Sequence, residues 1–145
     1  MNADPNDMPA IREMLHEILR NDPAPLHLGI QLGDIDQGRV VMTMSIADHM
    51  ANSHGMCHGG YLFTLADTTL AYCCATAGTR IVTRNAEITF VAPAHAGQIV
   101  TATATRRVSF GRNQICDVVL EADGRVVAYF TGQGTTPPPP RENKS

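Results

Sequence analysis

The sequence has no tryptophan, and three Tyr and four Phe are its only aromatic residues in 145 positions. Stacking platforms for single-stranded nucleic acid are hard to build from so few rings. An excess of positive charge is also missing. The 14 acids outnumber the 11 bases and leave a formal charge of -3, which removes the general electrostatic case for nucleic acid. The most apolar stretch, Leu62 to Ala77, carries Asp67 and four threonines, too much polarity for a membrane span. The four cysteines, Cys57, Cys73, Cys74 and Cys116, form no Cys-x-x-Cys pair and no bridge framework, so reduced thiols are expected. Asp4 and Asp7 precede the first base, Arg12, the wrong polarity for a secretion signal. These absences predict a cytoplasmic protein with neither membrane nor nucleic-acid partner.

What is present is a globular balance, with 43% hydrophobic and 17% charged residues. A chain of this length fits one domain and can bury about 70% of its unfolded surface. The core must be mostly aliphatic side chains, Ala and Met. Residues 1–136 are expected to form a single domain, and the Pro137–Pro140 run with residues 141–145 a disordered tail.

Along the chain, Ile11, Met14, Leu15, Ile18 and Leu19 recur at helical spacing after Pro9 and predict a short amphipathic helix to Arg20. The run 21–25, with two prolines, is read as its stop. Strands are predicted over 28–36 and 39–46, with Gln37-Gly38 as the hairpin turn. A loop over 51–58 leads into a helix from Gly59 to about Ala77, with Gly78 as its C-cap. That helix is apolar nearly all round, which predicts wrapping by other structure. Strands at 81–91, 98–108, 112–121 and 125–135 follow. One buried helix and about six strands argue for an α+β fold with an antiparallel sheet.

Asp67 is the residue that asks for an explanation. At 100° per residue, Gly60, Phe63, Leu70, Ala71 and Cys74 lie within about 60° of it. A carboxylate on that apolar stripe costs several kcal/mol unless compensated. Either it is hydrogen-bonded to backbone or to a strand threonine, or it is poised as a general base or nucleophile. Gly59 and Gly60 leave N–H groups uncovered at the positive end of a helix dipole. They suit an oxyanion or a carbonyl oxygen, or close helix–strand packing. His54, Cys57 and His58 raise the question of a metal or a thiol nucleophile. No second ligand cluster accompanies them, and no metal is expected. Gly59 and Asp67 are separated by about 12 Å of helix rise, so one carbonyl cannot touch both on one chain. If both act on it, they come from two antiparallel helices across a dimer axis, giving composite sites.

The block running Asn52, then His58-Gly59-Gly60, Phe63 and Leu65-Ala66-Asp67 resembles the signature of hotdog-fold acyl-CoA thioesterases. It is most similar to the phenylacetate-degradation group and the related 4-hydroxybenzoyl-CoA type. The likeness continues through Ala71-Tyr72, Ile88-Thr89-Phe90 with Pro93, and Thr101-Ala102-Thr103-Ala104. It implies a long helix wrapped by a curved antiparallel sheet, dimerised edge to edge and paired again into a homotetramer. It also implies hydrolysis of an acyl-CoA, with an aryl-acetyl or similar short acyl group and no cofactor beyond the coenzyme A of the substrate. By that resemblance Asp67 activates water or attacks the thioester, and the Gly59 N–H binds its carbonyl from the neighbouring subunit. Asn52 positions the reacting groups, His58 supports the loop, and Thr83 is a further polar residue. Gly111 with Arg112 meet the nucleotide, in a basic turn that also holds Arg106 and Arg107 and that reads equally as a solvated turn. By proximity alone, the acyl group sits beside Tyr61, Leu62 and Phe63, with Gly60 as a further substrate contact. A hotdog hydratase or dehydratase, and a non-catalytic acyl-CoA-binding domain, are the competing readings. The latter requires an Asp67 sealed from any cavity.

Overall fold

The computed structural model describes residues 1–142. Two N-terminal helices, α1 (Met8–Arg20) and α2 (Pro23–His27), lead into β1 (Gln31–Asp36) and β2 (Arg39–Ser45). A single 3-10 turn at Asp48–Met50 and a loop then deliver α3 (Gly59–Ala75). The remaining strands are β3 (Val82–Phe90), β4 (Ile99–Phe110), β5 (Asn113–Ala122) and β6 (Arg125–Thr135). They build one six-stranded sheet in the order β1-β2-β4-β5-β6-β3, antiparallel at every pairing. The α+β expectation holds. Residues 137–142 carry no regular secondary structure, and the part of the expected tail at 143–145 lies outside the described residues.

Local chemistry accounts for most element boundaries. The Asp7 carboxylate accepts the Ala10 N–H at 3.1 Å and starts α1, an N-cap ahead of a proline-bearing first turn. Gly38, at φ +72°, makes the β1–β2 turn, a conformation that suits glycine. The run at 21–25 departs from expectation. It stops α1 but then starts α2, because Pro23 fits a first helical position as well as it breaks an interior. The first strand accordingly begins at Gln31 rather than at residue 28. Helix α3 ends at Ala75, not Ala77, with Thr76 as its C-cap.

Helix α3 lies across the concave face of the sheet. Leu62, Leu65, Ala66, Leu70, Cys73 and Cys74 are buried against Val40, Met42, Met44, Val100, Val118 and Leu120. Small residues let it approach closely. A Cβ on Gly132 of β6 would stand 2.7 Å from Leu70 Cδ1, and Ala102, Ala104 and Ala128 face inward beside it. The Ala-rich, ring-poor composition is the packing solution for this helix–sheet distance.

The wrap is incomplete. A stripe of α3 comprising Gly60, Phe63, Thr64, Asp67, Thr68 and Ala71 is only half-buried or exposed. It lies beside β3, which pairs with β6 on one side and with no strand on the other. Val82, Phe90 and Val91 at this edge are each about half exposed.

Candidate active site

The loop before α3 is tied by its own polar groups. Asn52 Oδ1 accepts the N–H groups of His54 at 2.9 Å and Met56 at 3.1 Å. The Asn52 N–H donates to the Met56 carbonyl. The His58 N–H donates to the Met50 carbonyl at 2.8 Å, and His58 Nδ1 accepts the Gly60 N–H at 3.0 Å. His58 is therefore the N-cap of α3, with its ring committed to the helix start. The Gly60 N–H is consumed by that cap. The Gly59 N–H makes no hydrogen bond among the described residues, which leaves it as the donor able to receive an oxygen. Cys57 is buried, and burial pushes its thiol up from the usual value, the behaviour of an inert core cysteine. Among the described residues no three His, Cys, Asp or Glu side chains are grouped to hold a metal.

Two turns along the helix, Thr83 Oγ1 donates to Asp67 Oδ1 at 2.7 Å. A β-bulge between Thr83 and Asn85 interrupts β3 at this point, the kind of irregularity that re-aims a side chain. Asp67 is half-buried on the open stripe, so it is hydrogen-bonded without being sealed. Its other carboxylate oxygen has no protein partner among the described residues. Gly59 and Asp67 sit at opposite ends of the same sheet edge. Gly59 lies against Phe90 at the end of β3, and Asp67 against Thr83 near its start.

Two cavities flank the helix N-terminus. One, of about 400 Å³, is lined by Asn52, Gly59, Leu62, Phe90 and Pro93 among others. The other, of about 420 Å³, is lined by His49, His58, Gly60, Tyr61 and Thr64 among others. Asn52 and Gly59 thus share one cavity, while Gly60 faces the other. Phe63, about one-third exposed, packs edge-on against Phe130 with ring centroids 5.3 Å apart.

The thioesterase superfamily model matches residues 54–128. The chain is 37% identical to the acyl-coenzyme A thioesterase PaaI of Escherichia coli K12 over 119 residues, 81% of this chain and 85% of that protein. The chain belongs to the thioesterase superfamily. The structure of E. coli PaaI, from the phenylacetic acid degradation operon, superposes with a TM-score of 0.86 at 34% identity, covering 88% of this chain and 94% of that one. A mutant of the phenylacetic acid degradation protein PaaI from Thermus thermophilus gives 0.77 at 28% identity, covering 80% and 100%. The hotdog fold and the thioesterase family are thereby borne out.

Within this thioesterase, the matched segment contains Gly59, Asp67, Thr83, Gly111 and Arg112, while Asn52 lies just before it. Gly111, at φ +58°, turns β4 into β5, and Arg112 stands next to it with an exposed side chain. Its carbonyl accepts the Thr136 N–H, and Asn113, Thr135 and Val82 form one row across β5, β6 and β3. At about 4.8 Å per strand, Arg112 lies on the order of 10 Å from the start of β3, the Asp67 end of the molecule.

The basic turn is not the three-arginine cluster that the sequence suggests. Arg106 turns inward and donates to Gln114 Oε1 at 2.7 Å, Thr76 Oγ1 at 3.0 Å and the Cys73 carbonyl at 3.4 Å. It closes the C-terminus of α3. Arg107 is the extra residue of a β4 bulge and pairs with Asp117. Arg112 alone has no side-chain partner among the described residues. Phe90 is the residue near the site to which the sequence assigns no role. Its contact with Gly59 spans two elements 31 residues apart, and no local pattern encodes it.

Proposed function

We propose that this thioesterase hydrolyses acyl-CoA thioesters, with aryl-acetyl or similar short acyl groups, to the free acid and coenzyme A. The observation that carries the reading is the Thr83–Asp67 hydrogen bond, which holds a half-buried carboxylate on a stripe left open by its own chain. A carboxylate so held can take a proton from water or attack the thioester carbon itself. The free Gly59 N–H, reinforced by the helix dipole, stabilises the oxyanion that either route creates. Asn52 positions the reacting groups, and His58 acts through the helix cap that orients Gly59. Arg112, with Gly111 fixing its turn, meets the nucleotide phosphates. The chemistry uses no cofactor.

Asp67 and Gly59 lie about 12 Å apart along one helix, so the working unit is a dimer. The open β3 edge and the uncovered stripe of α3 are the surfaces that meet a second copy. Antiparallel helices then bring each Asp67 to the other copy's Gly59, giving two sites per dimer. Val108, Phe110 and Tyr129, exposed on the convex face, support pairing of two dimers into a tetramer. No helix among the described residues is long and apolar enough to cross a membrane. The test is Asp67→Asn, assayed by thiol release from phenylacetyl-CoA. Hydrolysis should fall at least about 100-fold while the oligomer and CoA-ester binding persist. Unchanged turnover would refute the role of Asp67.

A further inference from the structure

We infer that Phe90 selects the acyl group, and that the apolar cavity it lines, beside Gly59, takes an uncharged aryl ring. The inference rests on the thioesterase reading above. Its starting point is the distribution of parts along one chain. Asp67, Thr83 and Arg112 gather at one end of the β3 edge, and Gly59 and Phe90 lie at the other. In a composite site one copy supplies Asp67 together with Arg112, and the second supplies Gly59. Coenzyme A phosphates held at Arg112 therefore lie on the side of the copy that brings the carboxylate. The acyl group, on the far side of the carbonyl, points into the copy that brings Gly59.

That copy offers two cavities, and the hydrogen bonds distinguish them. The cavity beside Gly60 borders an N–H already consumed by His58. The cavity beside Gly59 borders the N–H that remains free, so a carbonyl bound there has its acyl substituent at this mouth. The wall consists of Phe90, Leu62, Met56 and Pro93, with Asn52 as its polar member and no charged side chain. Its volume, about 400 Å³, lies within the range of small-ligand sites. The Phe90 ring tip presses on Gly59, where an added Cβ would stand 2.6 Å from Cζ. About half of the residue is exposed on the single chain, at the β3 edge where the second copy is proposed to meet it, so the ring stands at the seam of the composite site. Aromatic pairs in offset or edge-on contact gain beyond simple area burial, while a carboxylate placed against this wall would lose its hydration without a partner.

The experiment compares kcat/KM for phenylacetyl-CoA, butyryl-CoA and succinyl-CoA in the wild-type protein, Phe90→Leu and Phe90→Met, with folding checked by circular dichroism. Both variants, which lack the ring, should lower the phenylacetyl-to-butyryl ratio about 10-fold. Succinyl-CoA should be the poorest of the three for the wild-type protein. Equal losses on both uncharged esters would mean that Phe90 only props the helix, and would overturn the assignment. Efficient succinyl-CoA hydrolysis would overturn it too. A wild-type protein inert toward all three esters would instead overturn the thioesterase reading, and this inference with it.

Discussion

At the scale of single residues, the site depends on hydrogen bonds whose donors and acceptors are individually replaceable. Thr83→Val keeps the shape of the side chain and removes the donor to Asp67. A hydrogen bond to a charged group contributes about 1.5–3 kcal/mol, so hydrolysis should fall roughly 10- to 100-fold, with Thr83→Ser restoring most of it. A steady-state comparison of the two variants checks this. Equal defects would mean that the methyl group matters and the hydroxyl does not. Gly59 is constrained differently. Its Cα lies under the Phe90 ring, so Gly59→Ala forces that ring aside at about 1–3 kcal/mol, the usual range for overpacking. Thermal unfolding should register a drop of several degrees, given about 2–4 °C per kcal/mol at this size.

At the scale of elements, the ends of α3 are secured in unlike ways. The N-terminus keeps one N–H open, whereas the C-terminus is closed by Arg106 through the Cys73 carbonyl and Thr76. Arg106→Met should leave those groups and Gln114 short of partners and lower stability by about 1–3 kcal/mol, read as a Tm shift. The Arg107–Asp117 pair on the β4–β5 hairpin is exposed and weaker. The Arg107 guanidinium, first by hydrogen bond and then by charge, holds the Asp117 carboxyl below its usual value. Its contribution is present above the ordinary carboxylate range and fades as pH falls through the lowered folded value. Asp117→Asn should slightly flatten the acid limb of a Tm–pH curve.

The same elements show what a sequence can express. Period-two alternation in Val40, Met42 and Met44 marks β2, and the apolar run from Gly59 marks α3, because each signal is local. Pro23 is ambiguous because proline ends one helix and begins another by the same ring. Arg106 reads in sequence as a member of a solvated basic turn, which it is not. Its partners Gln37, Thr76 and Gln114 are 69, 30 and 8 positions away, and only the packed sheet brings them together. Asp67 is legible as an anomaly from its apolar stripe, and Thr83 comes from the family resemblance. The cavity under Phe90 has no signal at all, since its wall is assembled from three separate segments.

At the scale of the whole molecule, the proposed site has its two halves, Gly59 and Asp67, about 12 Å apart along one helix, too far to close on one carbonyl. Mixing offers a direct check. Asp67→Asn keeps Gly59, and Gly59→Pro keeps Asp67 while removing the N–H at a helical position that accepts proline, with the same displacement of the Phe90 ring as Gly59→Ala. Co-refolded in equal amounts, random pairing makes half of the dimers mixed, and each mixed dimer has one intact site of two. About one quarter of wild-type activity should return if sites are shared across a two-fold axis. No recovery, with mixed dimers present by native mass spectrometry, would place the whole site within one chain.

The open edge of β3 has a consequence for the protein's lifetime. A copy without a mate displays an unpaired strand bearing Val82 and Phe90, with Val91 beyond it, and such edges template non-native strand pairing. Separation of the copies would then be hard to reverse, because a solitary chain finds wrong neighbours as readily as the right one. A dilute or newly made population would lose material to aggregates before it lost folded structure, and cellular abundance would follow how quickly new chains meet. In the proposed dimer, the surface that divides the chemistry between two chains would also make each chain short-lived alone.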